Sequence, residues 1–92
     1  MNLNLNLNSD KVFDKSYGDE MSIPSFISCC QCGGFIDYDG YAVEMLLKGK
    51  VVWNAREANG EPLYPSDALD HEDELLKLAR ENKGLKIVWY NR

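Results

Sequence analysis

The chain has 92 residues, 45% hydrophobic and 11% aromatic, with fifteen acids against ten bases for a net charge of −5. A chain of this length folds as a single domain, residues 1–92, around a small core, and its aromatic content argues against disorder. The acidic balance disfavours independent DNA or RNA binding, which depends on Lys and Arg neutralising phosphates, and suits docking on a basic surface.

That charge is uneven: residues 1–46 carry seven acids and two bases, whereas 47–92 carry eight of each. No stretch approaches the ~20 apolar residues of a membrane span, and the N-terminus lacks a basic region followed by an apolar one. The three cysteines are too few and too close for a disulfide framework. A cytoplasmic protein with free thiols and no membrane partner is the expectation.

In chain order, Asn2, Asn4, Asn6 and Asn8 alternate with Leu3, Leu5 and Leu7. A period of two predicts a strand with every leucine on one face; the rival reading is a frayed, low-complexity terminus. Residues 9–25 read as a long acidic loop, punctuated by Ser9-Asp10, Tyr17-Gly18-Asp19 and Ile23-Pro24-Ser25 and anchored by Phe13. Phe26-Ile27-Ser28-Cys29-Cys30 reads as a short strand running into Gly33-Gly34. Phe35-Ile36 resumes extended structure before a turn at Asp37-Tyr38-Asp39-Gly40. Residues 41–55 predict a hairpin turning at Lys48-Gly49, although 41–48 also contains good helix formers.

Asn59-Gly60, Pro62 and Pro65 mark a second loop. A helix follows, capped by Asp70, with Glu72, Asp73 and Glu74 in its first turn and Lys77, Arg80 and Lys83 late, where the dipole favours each sign. Leu75, Leu76 and Ala79, with Leu78 beside them, supply its apolar stripe, and Gly84 ends it. Leu85 to Tyr90 is a terminal strand, apolar on both faces over part of its length and therefore placed inside the sheet. The fold class is α+β: an antiparallel sheet of about four to five strands with one helix packed on it.

Cys29-x-x-Cys32 followed by Gly33 has the spacing of half a zinc site, but a full site needs four ligands and the one histidine, His71, is distant in sequence. A redox pair wants its thiolate at a helix N-terminus, and Gly33-Gly34 is a poor first turn. On the strand reading, Cys29 and Cys30 point to opposite faces. The plain alternative is small buried hydrophobes and one exposed thiol. His71 beside Glu72 and Asp73 reads as a solvated surface residue. No nucleophile–base arrangement and no phosphate-binding glycine loop is present in the sequence, so neither catalysis, a cofactor nor a metal is expected.

What the composition leaves is a binding surface. Capping and dipole complementarity account for part of the acidic run from Asp67 to Asp70 and on to Glu74. They do not account for Asp10, Asp14, Asp19, Glu20, Asp37 and Asp39. Tyr17 and Tyr38 accompany these acids in predicted loops, where tyrosine is well suited to anchor an interface. The basic run from Lys77 to Lys86 reads first as a solvated helix face.

In length, charge, absent leader and α+β layout the chain resembles the small phage-encoded anti-CRISPR proteins, with no shared motif. The resemblance implies a non-enzymatic inhibitor. It would bind a host multi-subunit protein or ribonucleoprotein complex and block target DNA from a guide-RNA surveillance complex whose DNA path is basic. Bacteriocin immunity proteins share the profile and are the alternative within the binding class. A small metal-binding or redox module using Cys29 and Cys32 is the alternative outside it.

Overall fold

In the computed structural model the described residues are 2–13, 18–32, 41–61 and 63–91. The predicted extended segment Phe35-Ile36 and the turn at 37–40 lie outside them. The elements are β1 (Gly18–Ser22), α1 (Ile23–Gln31), β2 (Tyr41–Leu47), β3 (Lys50–Asn54), α2 (Ala55–Asn59), a 3-10 helix (Pro65–His71), α3 (Glu72–Glu81) and β4 (Lys86–Asn91).

The hairpin expected at 41–55 is present. Leu47 pairs with Lys50, which leaves Lys48 and Gly49 at the tip with φ of 54° and 80°. Positive φ at both central residues is what a two-residue type I′ turn needs to match strand twist. Glycine meets that need freely; a side chain such as that of Lys48 meets it at about 1–2 kcal/mol of steric cost. A register shift between Met45 and Leu46 leaves Val52 as an extra residue in β3, and Val52 and Trp53 both enter the main core.

β4 lies inside the sheet, as its two-faced apolar run implies. The strand order is β1-β4-β2-β3 and every neighbouring pair is antiparallel. Ile87 and Val88 are both 0% exposed although they point to opposite faces. On one face Val43, Met45 and Ile87 meet Phe26 and Ile27 of α1, Ala68 of the 3-10 helix and Leu75 of α3 in one core cluster. On the other, Leu46, Val51 and Val88 close around Phe13. The α+β class and four-stranded antiparallel sheet agree with the sequence, whereas three α-helices replace the single one expected.

The largest correction is α1, which occupies the segment expected to be a strand. Ser22 caps it, its Oγ accepting from the Ser25 N–H at 3.4 Å. Pro24 stands in the first turn, where its missing N–H is harmless. Ile23, Phe26, Ile27 and Cys30 are the buried residues, at i, i+3, i+4 and i+7, the spacing of a helix buried on one side. The adjacent Cys29 and Cys30 are thus about 100° apart around a helix rather than on opposite faces of a strand.

The loop expected over 9–25 also contains β1. Asp19 and Glu20 are poor strand formers, and the segment is extended because β4 supplies a complete ladder, from Gly18 opposite Tyr90 to Ser22 opposite Lys86.

At the N-terminus the Asn/Leu alternation is not a strand. The Asn2 side chain accepts from the Asn4 N–H at 2.9 Å and the Asn6 side chain from the Asn8 N–H at 3.2 Å. These are Asx turns, in which the side chain takes an amide that a ladder would have used. Nor is the segment frayed. It straps the outer edge of β3 through Asn6 N–H to Val52 O and Val51 N–H to Lys11 O, each 2.7 Å, with one bridge between Val12 and Lys50. The leucines separate accordingly: Leu3 is 7% exposed, Leu5 half-buried and Leu7 62% exposed.

Asp70 does not cap α3. It lies inside the 3-10 helix, and the cap position is His71, which makes no side-chain capping bond. At the other end Asn82 closes α3, its side chain donating to Leu78 O at 3.0 Å. Lys83 therefore stands beyond the helix, and Gly84, with φ of 88°, turns the chain into β4.

Candidate docking surface

The acids divide into those the fold engages and those it leaves to solvent. Glu44 is the most internal, 3% exposed in the middle of β2. Asn54 donates to its Oε2 at 2.8 Å, and Lys11 stands 3.9 Å from it and 3.5 Å from Glu57. The same Asn54 caps α2, accepting from the Glu57 N–H at 3.1 Å. A buried carboxylate needs such partners to be tolerated. Sequence reasoning did not single out Glu44, because in an alternating strand it is indistinguishable from a solvent-facing acid.

Glu20 is engaged too. Its carboxylate lies 3.0 Å from Lys86 and its side chain is only 19% exposed, so the fold holds this predicted docking residue inward. Glu72 accepts from Gln31 at 3.0 Å, tying α3 to α1. Glu74 lies 3.9 Å from the half-buried His71, which therefore is not the fully solvated residue expected. Asp19 is exposed and accepts from the Glu20 N–H at 2.9 Å.

Asp10, Asp67, Asp70 and Asp73 differ. All four are exposed, and among the described residues no ion pair or side-chain hydrogen bond engages their carboxylates. A 3-10 helix has three residues per turn and rises about 6 Å over them. That stacks Asp67 and Asp70 on one side of the 3-10 helix, and Asp73 follows in the first turn of α3, beyond the cap residue His71. The frame beneath is packed: Ala68 is 1% and Leu75 0% exposed. The 3-10 conformation is what aligns Asp67 with Asp70, and it had no signature in the sequence. Of the other predicted docking residues, Asp14, Tyr17, Asp37, Tyr38 and Asp39 lie outside the described residues.

The cysteines stand at the far end of α1. Cys30 is buried, Cys29 half-buried and Cys32 exposed at the C-cap, all as free thiols. Burial, and secondarily the neighbouring Cys29, pushes the Cys30 thiol up to about 11. The carbonyl end of a helix also disfavours a thiolate, which is unhelpful for a redox pair. Among the described residues no three His, Cys, Asp or Glu side chains come together as a metal would require.

No helix of the described residues is long and apolar enough to cross a membrane. Comparison with known proteins found no match, whether to a protein-family model, a curated protein or a solved structure.

Proposed function

We propose that this chain is a non-catalytic acidic inhibitor acting in the host cytoplasm. It docks on a basic surface of a protein or ribonucleoprotein complex, as the anti-CRISPR proteins it resembles do, and keeps target DNA from a guide-RNA surveillance complex. The observation that carries the reading is the group Asp67, Asp70 and Asp73, exposed and unengaged among the described residues while Glu20, Glu44, Glu57, Glu72 and Glu74 each have a partner within the fold. Exposed carboxylates carried on packed helices compete with phosphates for Lys and Arg.

The test is inhibition of DNA binding across a panel of purified guide-RNA complexes, with the wild type and with Asp67→Lys/Asp70→Lys/Asp73→Lys. Loss of inhibition by about tenfold or more, steeper at low salt and with the chain still folded, is the expected result. Inhibition indifferent to both charge reversal and ionic strength would remove electrostatic mimicry. Inhibition of a nuclease toxin instead of any guide-RNA complex would move the chain to the immunity-protein class.

A further inference from the structure

The basic run from Lys77 to Lys86 is not one helix face, since Lys83 and Lys86 stand beyond α3. Lys48 stands at the β2–β3 hairpin tip, Lys83 in the turn between α3 and β4, and Lys86 at the start of β4. The fold brings both turns to one cleft of about 360 Å³, lined also by Phe13, Leu46 and Leu47. That is within the roughly 300–1,000 Å³ of small-ligand sites.

Among the described residues, three lysines and one acid, Glu20, line this cleft in a chain of net charge −5. Lys86 is partly neutralised by Glu20 at 3.0 Å. Lys48 and Lys83 are exposed, and among the described residues no acid engages either. Lys48 also holds a φ of 54°, in a turn position that Asn, Asp or Gly occupies more easily. A side chain in such a conformation points to a use for it. The rim cations are all lysines. Ammonium groups of this kind bind a phosphate as point charges that can surround its several oxygens.

We propose that this cleft binds a phosphomonoester, with the dianionic phosphate among Lys48, Lys83 and Lys86 and a compact apolar body against Phe13 and Leu46. The site is independent of the acidic group and does not rest on the docking function.

The experiment is amide-shift titration of the isotopically labelled full chain with phenyl phosphate, inorganic phosphate and phenol. Expected are saturable shifts confined to residues 46–49 and 83–86, tighter binding of phenyl phosphate than of inorganic phosphate, and no saturable shift with phenol. Lys48→Asn relieves the turn while removing the ammonium, so its melting temperature should hold or rise as phenyl phosphate affinity drops about tenfold. Lys83→Gln, outside any turn strain at position 48, should weaken binding without a change in folding. The proposal is overturned by the absence of saturable shifts at millimolar phenyl phosphate, by a Lys48→Asn/Lys83→Gln variant that binds as the wild type does, or by inorganic phosphate binding as tightly as phenyl phosphate.

Discussion

The two faces of the sheet solve the same problem with different means. One is roofed by α1, the 3-10 helix and α3, whose side chains interdigitate with Val43, Met45 and Ile87 in an apolar layer. The other is closed over Leu46, Val51 and Val88 by Phe13, which is carried by a strap held to β3 by a few backbone hydrogen bonds. A helix covers a broad patch and satisfies its own backbone, so an apolar layer beneath it leaves few polar groups stranded. A strap covers a narrow one. Glu44, buried beside that small cluster, can sit there because Asn54 and Lys11 reach it. Burial on the strap side thus includes a carboxylate held by a polar network, whereas burial on the helix side is chiefly apolar packing.

Core truncations sharpen this contrast most. Phe26→Ala, at a residue 0% exposed beneath the helices, should cost about 3–5 kcal/mol in denaturant unfolding. Phe13→Ala should cost less, about 2–3 kcal/mol, because a strap relaxes into the gap more easily than a packed helix. Equal losses would show that the strap is as rigid as the helical layer.

The strap itself supplies the next contrast. Leu3, 7% exposed and part of the main core, should lose about 2 kcal/mol on truncation to Ala. Leu7, 62% exposed, should stay within about 0.5 kcal/mol. Similar losses at both positions would restore the strand reading, in which all three leucines share one buried face.

A further contrast is a pH dependence on the helix side. Cys30, ordinarily at 9.0, is raised to about 11 in the folded chain, so between these values the unfolded thiol releases its proton first. Its contribution to stability is complete below pH about 9 and is lost as the pH rises towards 11. Unfolding midpoints measured across that window should fall, and Cys30→Ala should flatten the fall. An identical slope in the variant would assign the alkaline loss to other groups.

Elements whose local pattern and tertiary use coincide were legible in the sequence. The Lys48-Gly49 hairpin, the amphipathic run of α3 and the two-faced strand β4 are of this kind, and together they define the α+β class. The spacing of Ile23, Phe26, Ile27 and Cys30 was also helical, with Ser22 in capping position. It was hidden behind Pro24, which breaks a helix in its interior but starts one in its first turn. The acids proposed for docking were legible only as a composition; which of them remain exposed and unengaged is a property of the fold.

By itself, then, the sequence determined the chain's acidity, its secondary-structure class and the absence of a complete four-ligand zinc motif, because these follow from residue type and local period. Tertiary structure alone decided three things. It made β1 a strand, since β4 provides the ladder that Asp19 and Glu20 would not form unaided. It turned the Asn/Leu repeat into a strap, where side-chain amides close Asx turns and the edge of β3 offers only scattered partners. Finally it gathered Lys48, Lys83 and Lys86 around one cleft, because neighbours across a sheet are set by strand order and not by distance along the chain.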